Sequence, residues 1–166
     1  MTRSRLVPVL AAAAAVLLVA VSAATAAPQA TSSRTATVKV AHRAVGQILV
    51  DSKGRTLYLW KKDTGKKSKC SGDCAVDWPP LRVSGKPTAG RGAHRSLLGT
   101  TKRSDGSRQV TYNGHPLYRF AGDRKPGDTN GQGLDGFGAL WWVVSPSGSQ
   151  ITGSGSASGG GPGYSP

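Results

Sequence analysis

The chain has no glutamate: its eight acidic residues are all aspartate, against 22 lysine and arginine residues. Glutamate is a good helix former and aspartate is not, and the 23 glycines and 10 prolines also disfavour helix interiors. These features argue against long helices. They favour a mainly β domain with long loops.

Cysteine is scarce as well, with only Cys70 and Cys74, in the segment Cys-Ser-Gly-Asp-Cys. In an exported chain two cysteines typically form one disulfide, and Gly72 eases the closure of so small a ring. We therefore predict a disulfide between Cys70 and Cys74. A redox-active or metal-binding role for the pair stays open as an alternative. The spacing differs from that of c-type haem attachment, and a zinc site needs two further ligands.

Patterns typical of catalytic centres are missing. The sequence has no G-x-S-x-G elbow, its three histidines stand in no known motif, and any carboxylate pair must consist of aspartates. Residues 131–136 match G-x-G-x-x-G but neither follow a strand nor open a helix, so we interpret them as a flexible loop. A calcium loop starting at Asp128 lacks its closing glutamate. We predict a protein that is not an enzyme and that binds no cofactor or metal ion.

Residues 1–26 have the layout of a secretory signal peptide. A basic start precedes an apolar run over residues 6–21, and the small residues Ala24-Thr-Ala26 precede the expected cleavage site. The run is shorter than the roughly 20 residues of a spanning helix, which favours a cleaved signal over a retained anchor. No second apolar run follows. We therefore expect no transmembrane span in the mature chain and a secreted, extracellular or envelope-associated location.

The segments on either side of the expected domain differ from it in composition. Residues 27–44 are mostly polar, small and basic, which predicts a flexible N-terminal tether. Residues 148–166 are nearly all glycine, serine and proline, which predicts a disordered tail. The domain itself is expected over residues 45–147.

One short motif occurs twice within these residues. Leu57-Tyr-Leu-Trp-Lys-Lys-Asp63 returns as Leu117-Tyr-Arg-Phe-Ala-Gly-Asp123, and each copy follows a turn with glycine at the same offset. Such a period marks a duplicated supersecondary unit. We predict an all-β fold in which two pseudo-symmetric hairpin units, over residues 45–81 and 103–147, pack as one small domain with disordered termini.

Alternation along a strand separates the side chains of the motif into two faces. One face carries the aromatic residues and the other carries Leu57 and Leu59 in the first copy, but Leu117 and Arg119 in the second. Because only the aromatic face is common to both copies, we expect the two hairpins to meet there. The residues of that face and the aspartates that follow it are Tyr58, Trp60, Asp63, Tyr118, Phe120 and Asp123.

The aspartates of the motif have two possible roles. A buried tyrosine hydroxyl needs a hydrogen-bond partner, and the aspartate at the following turn either supplies one or caps the turn. In the alternative, the two Tyr/Asp pairs line a pocket for a ligand or a cation. The sequence leaves both roles open.

The formal net charge of +14 is spread along the chain rather than concentrated in a tail, and falls to +12 once Arg3 and Arg5 leave with the signal. A basic surface outside the cell attracts anionic envelope polymers or lipid headgroups. No motif for specific nucleic-acid binding accompanies the charge. We predict a non-catalytic envelope or extracellular module for binding or structure. The alternative is a redox or metal-handling protein that uses Cys70 and Cys74 or the paired Tyr/Asp motifs.

The duplicated Tyr-x-aromatic-x-x-Asp motif resembles a bacterial family of secreted or lipoprotein repeats named for its Y-x4-D pattern. The Cys-x-x-x-Cys-x-x-x-Trp-Pro-Pro-Leu run over residues 70–81, Pro126-Gly-Asp-Thr129 and Trp142-Val-Val-Ser-Pro146 are also similar to that family. The resemblance covers residues 45–147. It implies export and a repeated small β unit without an established activity. This chain lacks the lipid-bearing cysteine that many relatives have.

Overall fold

A computed structural model describes residues 35–153 of the chain. The predicted signal peptide, residues 27–34 of the predicted tether and residues 154–166 of the predicted tail lie outside this range. Strands dominate the described part, which confirms the all-β prediction. In chain order they are β1 (Thr37–Arg43), β2 (Gly46–Asp51), β3 (Tyr58–Trp60), β4 (Thr88–Ala89), β5 (Leu98–Lys102), β6 (Arg108–Tyr112), β7 (His115–Pro116), β8 (Asp135–Gly136) and β9 (Ala139–Val143), with a short helix α1 (Asp73–Asp77) and a 3-10 turn (Arg95–Leu97).

The strands form three small sheets with the orders β2-β1-β4, β3-β9-β8 and β5-β6-β7. Two antiparallel hairpins are counterparts of each other: β1–β2, in which Val38 lies opposite Asp51, and β5–β6, in which Leu98 lies opposite Tyr112. Each hairpin is followed by one copy of the Tyr motif. We call the segments that begin at β1 and at β5 the first and second repeat.

The first unit begins one strand earlier than predicted. β2 pairs along its length with β1. The chain after the turn also returns beside β2, through the Val50–Thr56 bridge, a bond from Asp51 N–H to the Arg55 carbonyl at 2.8 Å and one from Leu57 N–H to the Leu49 carbonyl at 3.0 Å. The tether predicted over residues 27–44 is therefore wrong for Thr37–Arg43. Val38, fully buried in β1, supplies the apolar contact that makes this polar segment a strand.

The predicted tail also begins later than expected. Gln150 pairs with Val144 across a turn, and the backbone N–H of Ile151 donates to the Val143 carbonyl at 3.0 Å. Ile151 packs against the aromatic side of the core. The disorder predicted from residue 148 is therefore wrong for the residues up to Ile151, because this short return adds backbone bonds and apolar contact to β9.

The core consists of two clusters on opposite sides of the motif strands. An aliphatic cluster includes Leu57, Leu59 and Leu117, and an aromatic cluster includes Tyr58 and Tyr118 together with the two cysteines. Both faces of the motif are therefore buried, not the aromatic face alone. The motif forms the middle layer of the domain, which is why leucine and tyrosine alternate in it.

Candidate functional site

The two Tyr/Asp pairs are formed between the repeats rather than within them. The Tyr58 hydroxyl donates to Asp123 Oδ2 at 2.7 Å, and the Tyr118 hydroxyl donates to Asp63 Oδ2 at 2.6 Å. All four side chains are buried or nearly so. Each repeat thus supplies the acceptor for the tyrosine of the other. These exchanged bonds bring the residues of both motif copies together at one place in the structure, although the copies lie about sixty residues apart in the sequence.

The second oxygen of each carboxylate organises the loop that follows it. Asp63 Oδ1 accepts the backbone N–H of Lys69 at 2.8 Å, and Asp123 Oδ1 accepts that of Asn130 at 2.9 Å. The loops are therefore closed in the same way in both repeats. Each aspartate joins its own loop to the tyrosine of the opposite repeat, so its side chain bonds on both sides.

Burial dominates the electrostatics of these pairs. It raises the pKa of Asp123 to about 6, although the bond from Tyr58 acts in the opposite direction. Burial also raises the pKa of Asp63. The hydroxyls of Tyr58 and Tyr118 have raised pKa values, because burial and the facing carboxylates both disfavour a phenolate. Both tyrosines are therefore neutral donors at physiological pH, and this arrangement favours structural hydrogen bonding over nucleophilic or general-base chemistry.

Four aromatic rings form a continuous stack across the junction of the repeats. The ring centroids of Trp60 and Trp141 are 4.9 Å apart, those of Trp141 and Trp78 are 3.9 Å apart, and those of Trp78 and Phe120 are 4.3 Å apart. The central pair is nearly parallel, with an interplanar angle of 2°. Trp78 and Trp141 occupy matching places in their repeats, so the stack has the same two-fold pattern as the Tyr/Asp bonds.

The tyrosines of the motif close the stack from the sides. Tyr58 lies edge-on to Trp78 with centroids 5.4 Å apart, and Tyr118 lies edge-on to Trp141 at 5.1 Å. Edge-to-face contacts of this kind are favourable beyond the area they bury. The pairing of Trp78 with Trp141 was not predicted from the sequence. The available signal was the position of each tryptophan three residues before a buried aliphatic residue, Leu81 and Val144.

The predicted disulfide between Cys70 and Cys74 is present, with Cα atoms 5.3 Å apart. Both cysteines are buried in the aromatic cluster. The buried Arg103 holds this region from the second repeat: it donates to the Cys70 carbonyl at 2.5 Å and to Ser68 Oγ at 2.7 Å. Ser68 in turn contacts the Tyr118 hydroxyl at 2.7 Å. The disulfide is therefore part of the same junction as the Tyr118–Asp63 pair.

The loop between the first motif copy and the disulfide carries a cluster of exposed cations. We call it the lysine loop; its lysines are Lys61, Lys62, Lys66, Lys67 and Lys69. Its one carboxylate, Asp63, turns inward to Tyr118. The ion pairs found within residues 35–153 all use arginine, and no lysine there lies within 4.0 Å of a carboxylate. The loop lysines therefore form no ion pair within this range. Lys62 Nζ instead donates to the Phe137 carbonyl at 2.9 Å and lies over the Trp60 ring.

Within residues 35–153, no group of three or more His, Cys or Asp side chains has an arrangement suited to a metal ion. None of the helices in this range has the length and apolar character needed to cross a membrane.

The comparison with known families follows the repeat boundaries seen in the fold. A family model described as a secreted repeat of unknown function matches residues 39–82 and 99–145. The chain belongs to this family of secreted repeats. The two matched segments begin within β1 and β5, so the family unit includes the first hairpin strand that the sequence prediction had left out. No curated protein and no solved structure matches the chain. The secreted repeat is therefore confirmed in family and location.

Proposed function

We propose that this secreted repeat is a non-catalytic module that binds anionic polymers of the cell envelope through its lysine loop. The observation that carries the proposal is the exposure of five lysines on one loop without a carboxylate within ion-pair distance in the described residues. A polyanion presents many weak contacts, each of which needs an accessible point charge rather than a fitted pocket.

The loop is held in shape from both ends. The backbone N–H of Asp63 donates to the Trp60 carbonyl at 3.2 Å, and the Lys69 N–H donates to the Asp63 side chain at 2.8 Å. Beyond Lys69 the chain enters the disulfide and the contact with Arg103. Because the backbone is already ordered, binding costs less conformational entropy than binding by a free lysine-rich segment.

Burial of acidic residues makes the surface more basic than the composition indicates. Of the eight aspartates, Asp51, Asp63 and Asp123 are buried and bonded inside the domain. Their charges are therefore less available to offset the lysines seen by a distant polyanion. This distribution supports electrostatic attraction that weakens as salt is added.

A matched pair of quadruple variants tests the proposal. K61Q/K62Q/K66Q/K67Q removes four loop lysines, and K53Q/K86Q/K102Q/K125Q removes four exposed lysines elsewhere, with the same change in net charge. Binding to linear polyphosphate is measured by titration calorimetry at several salt concentrations. We expect the loop variant to bind about tenfold more weakly or worse, with a shallower salt dependence, and the control variant to lose much less.

The same titration distinguishes the other possibilities. Equal losses in the two variants would show that diffuse charge, not the loop, is responsible. A wild-type protein that ignores polyphosphate but binds anionic phospholipid vesicles would move the assignment to lipid headgroups. Binding to neither would overturn the proposal.

A further inference from the structure

The duplication allows each position in one repeat to be compared with its counterpart in the other. Much of the junction is symmetric, but two of its positions carry a charged side chain in one repeat and an apolar or aromatic one in the other. Arg119 of the second motif stands where the first motif has Leu59, and Asp51 at the end of β2 stands where β6 ends in Tyr112. Both exceptions replace an apolar or aromatic core residue by a charged one.

These two exceptional residues bond to each other. Arg119 Nε lies 2.7 Å from Asp51 Oδ2, joining the second repeat to the first. Asp51 is only 1% exposed, and its carboxylate also accepts the backbone N–H groups of Lys53 and Arg55 at 2.9 and 3.0 Å. Arg55 Nε adds a second ion pair at 3.1 Å. Burial alone raises the pKa of Asp51, but the Arg55 backbone bond and Arg119 outweigh it, so the net pKa is lowered and the group is charged.

The ion pair lies at a cleft of about 370 Å³. Besides Asp51 and Arg119, polar groups from three segments line it: Thr37 at the start of β1, Ser52 in the turn after β2, and Arg82 beyond the proline pair. Pro79 and Pro80 supply an apolar wall. The volume is suited to a small polar ligand with an apolar face, such as a single sugar unit.

The matching place in the second repeat is filled. Tyr112 is fully buried there, and its hydroxyl accepts the His94 N–H at 2.8 Å and donates to the Pro146 carbonyl at 2.9 Å. The Asn113 N–H donates to the Leu97 carbonyl at 2.8 Å. The fold can therefore close this place with an aromatic side chain. In the first repeat the same place holds a buried ion pair instead. Because burying two charges costs desolvation free energy, such a pair stabilises a fold less than an apolar side chain would.

The chemistry of the cleft indicates the class of ligand. Within the described residues the Arg119 side chain bonds only through Nε, so its terminal nitrogens are available in the fork geometry that matches an oxyanion. The charged residues that line the cleft are Arg82 and Arg119 against Asp51. Just outside it, Asp105 pairs with Arg82 at 2.9 Å and Arg55 with Asp51 at 3.1 Å. One positive charge is left in excess.

We infer that this cleft is a binding site for a small oxyanion, a carboxylate or a phosphate carried on a sugar-sized unit, with Arg119 as the positioned guanidinium. Asp51 acts as a positioning residue: it holds Nε and thereby orients the terminal nitrogens toward the ligand. The hydroxyls of Thr37 and Ser52 provide neutral contacts for ligand oxygens. This site is separate from the lysine loop and does not depend on it.

Amide chemical shifts of the ¹⁵N-labelled protein provide the test, with glucuronate and inorganic phosphate as probes. Both probes are expected to shift the amides of Ser52, Leu81 and Arg82. R119K keeps the charge but loses the fork, and is expected to weaken binding about tenfold or more. R82Q alters an exposed residue and is expected to weaken binding severalfold. R124Q, an exposed arginine outside the cleft, is the control and should bind like the wild type.

A closing variant tests the comparison between the repeats directly. D51Y/R119L replaces both residues by their counterparts in the other repeat. It is expected to abolish the amide shifts caused by either probe. Shifts with glucuronate alone would assign a carboxylate ligand, and shifts with phosphate alone a phosphate ligand. The inference is overturned if neither probe shifts the cleft amides of the wild type. It is also overturned if R119K binds the probes like the wild type. If R119K does not fold, R82Q is used for this comparison instead. R119K keeps all five lysines of the lysine loop and should retain most of its polyphosphate binding, so a negative result at the cleft does not contradict the proposal for the lysine loop.

Discussion

Tyr58 and Tyr118 lie opposite each other at the junction of the two repeats and exchange both backbone hydrogen bonds, at 2.9 and 3.0 Å. Residues directly opposite in an antiparallel pair direct their side chains to the same face. Both rings therefore enter the aromatic cluster, and each hydroxyl reaches the aspartate of the other repeat. Neither repeat satisfies its own tyrosine, which explains why two copies form one domain.

Removal of either hydroxyl is expected to destabilise the domain. Y58F leaves the Asp123 carboxylate without its buried donor, and Y118F does the same to Asp63, for a loss of about 1–3 kcal/mol each in the free energy of unfolding. Urea denaturation measures the loss. Y112F is the matched control, because that hydroxyl donates to a neutral carbonyl, and its loss should be smaller. If Y58F and Y118F were as stable as the wild type, the pairs would be ligand contacts and not structural ones.

The aromatic stack is expected to give a spectroscopic signal of its own. Trp78 and Trp141 are close and parallel enough for exciton coupling between their indoles. W78L should reduce that feature of the circular dichroism spectrum, leaving the contribution of the Trp60–Trp141 pair, and lower the free energy of unfolding by about 3 kcal/mol. W142F is the control, since Trp142 packs against the aliphatic cluster instead. A W78L spectrum identical to that of the wild type would contradict the stack.

The disulfide is expected to contribute modestly to stability, because the ring it closes is small. C70S/C74S should lower the free energy of unfolding by about 2 kcal/mol while the fold is kept. Thiol titration of the protein purified without reductant should find no free thiol, which would also argue against the redox alternative. Reactive thiols in the native protein would instead favour that alternative.

Stability should respond to pH in opposite ways through two buried aspartates. Asp123 has a folded-state pKa raised to about 6 from 3.8, so its contribution is largest below the unfolded value and is lost as pH rises through about 6. Asp51 has a lowered pKa, so its contribution is present above its unfolded value and is lost as pH falls through the folded value.

Urea denaturation between pH 7 and pH 2 checks both directions. As pH falls, the wild type should gain stability relative to D123N, and at lower pH it should lose stability relative to D51N. Parallel curves for D123N and the wild type would show that Asp123 does not titrate in this range.

The turn between β8 and β9 holds a strained residue. Phe137 has φ 58°, a conformation that bulky side chains rarely adopt, and the residue is 39% exposed. F137G should raise the free energy of unfolding by about 1 kcal/mol by relieving this strain. F137A keeps the strain and removes the ring, so it separates the two effects in thermal denaturation. A loss of stability in F137G would show that ring contacts outweigh the strain.

Local features of the chain were predictable from residue types. Asn113 and Gly114 have the positive φ values, 47° and 81°, that their hairpin turn requires. The disulfide between Cys70 and Cys74 follows from the small number of cysteines and their spacing. The motif copies identified the duplication, because each copy repeats the same side chains at the same offsets. Short-range geometry and residue chemistry suffice for all three.

Partners distant in sequence were decided only by the tertiary structure. Whether Tyr58 bonds to Asp63 or to Asp123 depends on how the two repeats pack together. The residues of the motif are compatible with either partner. The strand β1 resembled a tether because few of its residues are apolar, and it is ordered by pairing with β2. Arg119 departs from the leucine of the first copy, and the partner that accounts for it, Asp51, lies 2.7 Å away but 68 positions earlier in the chain. By itself the sequence determined the repeat, its turns and its disulfide, since these depend on neighbouring residues. The long-range partners are determined by tertiary packing alone. Many pairings satisfy the same local preferences, and only the buried hydrogen bonds between the repeats distinguish among them.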